Sequence, residues 1–117
     1  KVEGNGDLIV GFNDGKLWSF GVKFSDPKLT NYSLLVFDDL KKRFKSKYGD
    51  YQKFTQDKIG DELIFKIYWF RGNQKIILSS GPLWAKVEYI DINGERKWKQ
   101  SQRDQEKEDS VRIINQI

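Results

Sequence analysis

The sequence predicts an α+β domain in which an antiparallel sheet of about five strands packs on one amphipathic helix, in the order ββαβββα. First, the 117 residues include 4 Trp, 5 Tyr and 8 Phe but a single alanine, Ala85. This composition favours strands, because flat and branched side chains suit a pleated sheet. Second, Asn13-Asp14-Gly15 separates two apolar runs, which is typical of a hairpin. Third, apolar residues between positions 34 and 48 recur at helical spacing.

The predicted hairpin comprises strands over residues 8–12 and 17–24. The chain reverses between them at Asn13-Asp14-Gly15, because Asn and Gly tolerate the positive φ that a tight turn needs. Four apolar residues alternate along the second strand and predict a face that belongs to the core: Trp18, Phe20, Val22 and Phe24.

One amphipathic helix follows the hairpin and ends before Gly49. Asp38 and Asp39 precede its basic residues, which is the order that the helix dipole favours. Asn31 or Ser33 is expected to cap the N-terminus, and Gly49 the C-terminus. The apolar stripe has the spacing of one helix face: Leu34, Phe37, Leu40, Phe44 and Tyr48.

Three closely spaced strands are predicted after a polar connection over residues 50–61. Their ranges are 63–70, 75–79 and 83–92, with turns at Gly72-Asn73 and Gly81-Pro82. Such short links imply an antiparallel meander. In the last strand Ala85, Val87 and Tyr89 share one face, so we expect Trp84 to point away from the core.

We expect a single domain over residues 1–117, because a chain of this length supports one core. Residues 1–6 are predicted as a flexible lead-in, 7–92 as the core and 95–117 as a polar, helical C-terminal segment. Asn93-Gly94 also offers a turn into an alternative strand through Arg96 and Trp98, and disorder is the alternative to a helix over residues 101–117. No apolar run is long enough for a transmembrane segment.

The chain begins at Lys1 and contains no Met. We therefore expect a processed or trimmed chain, from which a targeting signal could have been removed.

The absence of Cys, His and Met excludes most catalytic and metal chemistry. A Ser-His-Asp triad, a cysteine nucleophile and a Cys or His zinc site are impossible without those residues. We therefore expect a protein that is not an enzyme and needs no cofactor or metal. A small hydrolase that uses a pair of carboxylates is the third candidate function. The acids available for it are Asp57, Asp61, Glu62, Glu88 and Asp91.

Function is therefore expected to lie in a surface. Tyr68, Phe70 and Trp84 predict an aromatic binding surface, since a thin sheet hides few aromatics on one face. A second covered face, beneath the C-terminal helix, is the other interpretation of these residues. The alternative function is binding of nucleic acid or another anionic surface through the basic helix, at Lys41, Lys42, Arg43 and Lys45. Because acidic neighbours dilute that charge, we favour a protein partner.

A helix-plus-meander pattern is carried by Phe37, Leu40 and Phe44, then Lys47-Tyr48-Gly49, followed by Trp69, Ile76-Ile77-Leu78 and Val87-Glu88-Tyr89. It resembles small domains of uncharacterised bacterial envelope and secreted proteins, over about half of the chain. The resemblance implies an extracytoplasmic domain, secreted or borne on a lipoprotein, that acts by protein contact. We therefore expect a non-enzymatic binding or assembly module of the bacterial envelope, and favour a location outside the cytoplasm.

Overall fold

The computed structural model describes residues 5–26 and 31–116 and shows an α+β fold with a six-stranded antiparallel sheet and two helices. The elements in chain order are β1 (Asn5–Asn13), β2 (Lys16–Ser25), α1 (Tyr32–Tyr48), β3 (Lys53–Ile59), β4 (Glu62–Arg71), β5 (Gln74–Ser80), β6 (Trp84–Asp91) and α2 (Ile92–Gln116). The predicted fold class, antiparallel sheet and C-terminal helix are confirmed. β1 begins at Asn5, inside the predicted lead-in, and residues 1–4 lie outside the described residues.

The number of strands differs from the prediction, because the sheet has six strands and the chain runs ββαββββα. The additional strand is β3, which lies within the connection that the sequence predicts over residues 50–61. β3 is an edge strand that pairs with β4 alone. Only Thr55 of its seven residues is half-buried, and the others are exposed. A strand with no buried face has no need for alternating apolar residues, so the sequence carries no signal for it.

The sheet joins two locally built units, with the strand order β1-β2-β6-β5-β4-β3. β1 and β2 form the hairpin, and β3 to β6 form a meander of four strands. The two units meet where β2 pairs with β6, from Ser19 opposite Ile90 to Ser25 opposite Trp84. This register decides which side chains share each face of the sheet.

Helix α1 packs on one face of the sheet, across β2, β5 and β6. The ring of Phe44 meets the ring of Trp69 edge to face, with the centroids 5.6 Å apart. The Trp69 Nε1–H donates to the carbonyl oxygen of Gly49 at 2.9 Å, which fixes the end of the helix on the sheet. Gly49 has a φ of 84°, which glycine adopts readily. The buried core comprises Phe44, Ile67, Trp69, Ile76, Leu78 and Val87.

Ser33, in the first turn of α1, does not cap the helix. The cap position is occupied by Asn31, whose side chain makes no capping hydrogen bond. The Ser33 hydroxyl donates instead to the Pro82 carbonyl oxygen at 3.2 Å. This contact joins the first turn of α1 to the β5–β6 turn.

A β-bulge in the hairpin sends Trp18 away from the core, which corrects part of the predicted core face. Gly11 lies opposite Ser19 and Phe12 opposite Leu17, so Trp18 is the extra residue. Its ring lies over Gly11, on the face away from α1, and stacks on Trp98 of α2 with the centroids 5.2 Å apart. Val22 and Phe24 do pack against the core, whereas Phe20 is exposed.

Helix α2 follows β6 without a loop and begins at Ile92, three residues before the predicted polar segment. Its first backbone N–H groups find partners on Asn73: Ile92 donates to the backbone oxygen at 2.8 Å, and Asn93 to Oδ1 at 3.1 Å. The alternative strand through Trp98 is therefore wrong. The helix contacts β6, β2 and β1, and every residue from 99 to 112 is exposed.

Candidate functional site

The face of the sheet opposite α1 carries lysines and aromatic residues from five strands, and we call it the open face. Its lysines and aromatic residues are Lys23, Lys53, Lys66, Tyr68, Phe70, Lys75, Trp84 and Lys86, and its strand acids are Asp7, Asp57, Glu62 and Glu88. Ile64, Ile77 and Ile90 lie buried on the same face. They lie there because each alternates with residues that face α1, as Lys86 does between Ala85 and Val87. Within the described residues, the helix that packs on this face is α2, whose first turns contact β6, β2 and β1.

A polar row crosses the middle of the open face on four neighbouring strands. Lys23 lies opposite Lys86, Lys86 opposite Ser79, and Ser79 opposite Lys66. Ser79 is 0% exposed although no helix lies above it. Lys66 and Lys86 on either side are half-buried, because long lysine side chains cover a surface with their methylene groups and keep the ammonium group in water.

Three of the lysines stand over aromatic rings of the same face. The Nζ atoms of Lys23 and Lys86 lie 5.3 Å and 5.5 Å from the Trp84 ring centroid. Lys53 Nζ lies 5.0 Å from the Tyr68 ring. Contacts of this kind restrict a flexible lysine, so its ammonium group occupies a defined position above the sheet.

Two carboxylates form ion pairs with lysines of this face. Glu88 forms an ion pair of 3.3 Å with Lys86, and Glu95, from the first turn of α2, forms one of 2.9 Å with Lys75. Among residues 5–26 and 31–116, Lys23, Lys53 and Lys66 form no ion pair. The face also carries Asp7, opposite Lys23, and Asp57 and Glu62 near the β3–β4 turn. Its charges are therefore balanced in number, but three of its described lysines are held in no ion pair of their own.

The predicted aromatic residues all lie on the open face but do not form one cluster. Tyr68 and Phe70 are successive outward residues of β4, with their rings stacked 6.0 Å apart. Trp84 lies two strands away, on β6. Its ring covers Gly81 in the β5–β6 turn, where a Cβ atom would lie 2.4 Å from the indole. The structure thus provides two aromatic positions with the lysine row between them.

The basic residues predicted on the helix are divided between its two flanks. Lys41 stands over the Tyr51 ring at 5.6 Å, and Lys45 pairs with Asp50 at 3.4 Å. Arg43 lies on the other flank and pairs with Asp39 at 3.0 Å, and Lys42 is exposed. Half of this basic surface is therefore engaged by neighbouring acids.

The carboxylates considered for catalysis are dispersed over the molecule. Asp57 is on the edge strand β3, and Asp61 and Glu62 follow at the β3–β4 turn. Glu88 is paired with Lys86 on the open face, and Asp91 accepts a hydrogen bond from the Asn73 side chain at the opposite end of the sheet. In the part of the chain that the structure describes, no three acidic residues are grouped so that they could hold a metal ion.

A groove of about 320 Å³ lies at the end of the sheet where α1 stops. The rings of Phe20 and Tyr89 stack in it with their centroids 5.0 Å apart. Burial raises the pKa of Tyr89 above the ordinary tyrosine value, and the neighbouring Tyr48 hydroxyl raises it further. The Arg71 guanidinium lines the groove and lies 5.1 Å from the Tyr48 ring. Sequence reasoning did not find this groove, because its walls come from separate strands.

Lys23, Lys66 and Lys86 were also missed by sequence reasoning, although the alternation of the strands contains the signal. Lys23 stands between Val22 and Phe24, and Lys66 between Phe65 and Ile67. A single lysine between two core residues of a strand must point to the other face. The helix drew attention instead because its charges are contiguous in sequence.

No protein-family model matches the chain, and neither a curated protein nor a solved structure matches it. Among the described residues, no helix is long and apolar enough to span a membrane. The functional argument therefore rests on the open face itself.

Proposed function

We propose that this protein is a non-enzymatic binding or assembly module of the bacterial envelope that holds an acidic protein surface on its open face. One observation carries the proposal: lysine ammonium groups are fixed above Trp84 and Tyr68, and among the described residues Lys23 and Lys53 form no ion pair. Cations that are already positioned lose less conformational entropy when they bind carboxylates. The envelope setting is supported by the resemblance seen in the sequence.

The arrangement of the rings favours a protein partner over a single-stranded nucleic acid. Bases bind to such sheets by stacking on free aromatic faces. Here Lys23 and Lys86 lie over the Trp84 ring, and Lys53 lies over Tyr68, which also stacks on Phe70. A partner that brings carboxylates, and needs no free ring face, fits this surface better.

The proposal is tested with a fluorescein-labelled oligoglutamate peptide as an acidic probe, titrated with the protein and followed by fluorescence anisotropy. We expect binding that weakens as salt is added, because exposed charges are screened. Replacing both Lys23 and Lys86 by Gln should weaken binding by roughly tenfold, since each exposed charge pair contributes up to about 1 kcal/mol.

The matched control removes two charges from the helix instead, by Lys42→Gln and Arg43→Gln, and should leave the affinity unchanged. A labelled oligothymidylate serves as the nucleic-acid probe. Equal loss of affinity in both double variants, or tighter binding of oligothymidylate than of oligoglutamate, would contradict the proposal. Loss in the helix variant alone would assign binding to the basic helix.

A further inference from the structure

The two edges of the sheet differ in the way they are protected. The β3 edge carries Lys53, Asp57 and Lys58, and charged side chains discourage another strand from pairing there. The β1 edge carries Asp7 alone, and from Leu8 to Asn13 it has neither a charge nor a proline. Helix α2 contacts β1, but no described strand occupies the outer edge of β1, so its outward backbone groups lack a strand partner.

Exposed apolar side chains lie beside this open edge. They belong to the hairpin and face the same side as α1, and we call them the hairpin patch: Leu8, Val10, Phe12, Leu17 and Phe20. Helix α1 contacts β2, β5 and β6, and Leu8 is 72% exposed. An apolar patch of this kind next to an unpaired strand marks an interaction surface.

We propose that a second copy of this chain occupies the edge, with β1 paired antiparallel to β1 about a two-fold axis at Ile9. In this register Leu8 lies opposite Val10 of the second copy, so the Leu8 and Val10 side chains of both copies form one apolar cluster. Phe12 lies opposite Gly6, which leaves room for its ring. Asp7 lies opposite Gly11, so no like charges meet.

The strand is thus complementary to itself in size and in charge, which is what a two-fold contact requires. The pairing would extend the sheet from six strands in each copy to a continuous sheet across the dimer. It uses the outer edge of β1 and apolar side chains on the α1 side of the sheet, whereas the lysines over Trp84 and Tyr68 lie on the opposite side. Leu8→Lys is therefore expected to weaken the dimer without removing any of those lysines.

The pairing register can be tested with single cysteines, because the chain contains none of its own. In the proposed dimer the two Ile9 Cα atoms face each other at about 5 Å, a spacing that a disulfide spans. Ile9→Cys should therefore give a disulfide-linked dimer under mild oxidation. Asp7→Cys lies on the same strand, but its two copies are about 13 Å apart in this register, so it should crosslink at least tenfold more slowly.

The mass in solution is measured alongside by sedimentation equilibrium from the low micromolar to the millimolar range. Leu8→Lys should raise the dimer dissociation constant by about tenfold or more. The reason is that each copy then places a charged lysine in the apolar cluster that Leu8 and Val10 of the two copies form. Ile59→Lys adds the same charge to the exposed β3 edge and should leave the constant unchanged. Thermal melting of both variants verifies that they fold.

Three results would overturn the proposal. They are a monomer throughout the concentration range, equal crosslinking rates at positions 9 and 7, and dissociation caused equally by Ile59→Lys. A third cysteine variant, Ile59→Cys, probes the β3 edge. Crosslinking of Ile59→Cys without crosslinking of Ile9→Cys would also overturn the proposal, because it would place the contact at the other edge.

Discussion

Ser79 is a polar residue at the centre of the sheet whose hydroxyl oxygen is buried without a hydrogen-bond partner among the described residues. The residue is 0% exposed and lies between Lys66 and Lys86 on the open face. A buried hydroxyl without a partner costs about 1–3 kcal/mol of desolvation free energy. Ser79 therefore destabilises the fold at the middle of the candidate binding surface.

Ser79→Ala should raise the free energy of unfolding by about 1 kcal/mol, because it removes the unpaired hydroxyl and leaves the strand geometry intact. The change is measured as a shift in the urea midpoint at constant slope. Ser80→Ala is the matched control: its buried hydroxyl donates to the Gly81 carbonyl oxygen at 3.4 Å, so its loss should not stabilise the protein. A lower free energy of unfolding for Ser79→Ala would contradict the prediction, because it would show that the Ser79 hydroxyl makes a hydrogen bond in solution.

At the level of single residues, alternation along a strand is a useful predictor until the register changes. The pattern around Ala85 and Val87 correctly indicates that Trp84 lies on the opposite face. The same reasoning fails for Trp18, because a bulge makes it an extra residue of β2, opposite the step from Gly11 to Phe12. The displaced Trp18 ring stacks on Trp98 of α2, a residue distant in sequence, and the hairpin sequence does not signal this contact.

Among the elements, α2 depends on close contact at its first turn. A Cβ atom on Gly94 would lie 2.4 Å from Trp18 Cβ and 3.3 Å from its Cα, so the helix approaches β2 through a residue without a side chain. This approach allows Trp98 to stack on Trp18 and Glu95 to reach Lys75.

Gly94→Ala should lower the free energy of unfolding by about 1–3 kcal/mol, because the added methyl group must displace the helix from β2. Intrinsic helix propensity acts in the opposite direction by up to about 1 kcal/mol. The sign of the change, measured by urea denaturation, therefore separates packing from propensity. Lys97→Ala, at an exposed position of the same helix, is the control and should have little effect. A more stable Gly94→Ala variant would refute the tight contact.

The helices and strands differ in how far their sequences predict them. The stripe through Phe37, Leu40 and Phe44 predicts α1, because one side of that helix is buried against the sheet. β3 has no buried side, and its strand conformation depends on its backbone pairing with β4, which the sequence of β3 does not reveal. The open face was foreseen only through its aromatics, since the lysines that surround them are scattered along the sequence and converge through strand pairing.

The whole molecule is elongated, with a radius of gyration of 17.4 Å and a longest dimension of 57 Å. A compact chain of this length would have a radius of gyration near 13 Å. The exposed stretch of α2 from 99 to 112 accounts for the difference. The side-chain contacts described along this stretch join residues of the same helix, such as Gln105 Nε2 donating to Asp109 Oδ1 at 3.1 Å. A helix of this length is marginally stable without packing.

Gln105→Pro should melt the outer part of α2 and leave the unfolding of the sheet unchanged. Proline destabilises a helix interior by about 3 kcal/mol. If the outer segment unfolds by itself, this cost does not lower the free energy of unfolding of the sheet. Far-ultraviolet circular dichroism should therefore lose helical signal, while the free energy of unfolding obtained from urea denaturation, followed by tryptophan fluorescence, stays within about 0.5 kcal/mol of the parent. Gln105→Ala removes only the Asp109 contact and is the control. A fall in the free energy of unfolding by the full cost of the proline would show that the outer helix unfolds together with the sheet.

The pairing of β2 with β6 also determines how the chain can fold. The β1–β2 hairpin and the β3–β6 meander each need only short loops to close. Ser25 and Trp84, by contrast, are separated by half of the chain, with α1 between them. Contacts between distant residues must overcome the largest loss of chain entropy, and such contacts slow folding. We therefore expect two early, nearly independent units whose docking along β2 and β6 sets the folding rate.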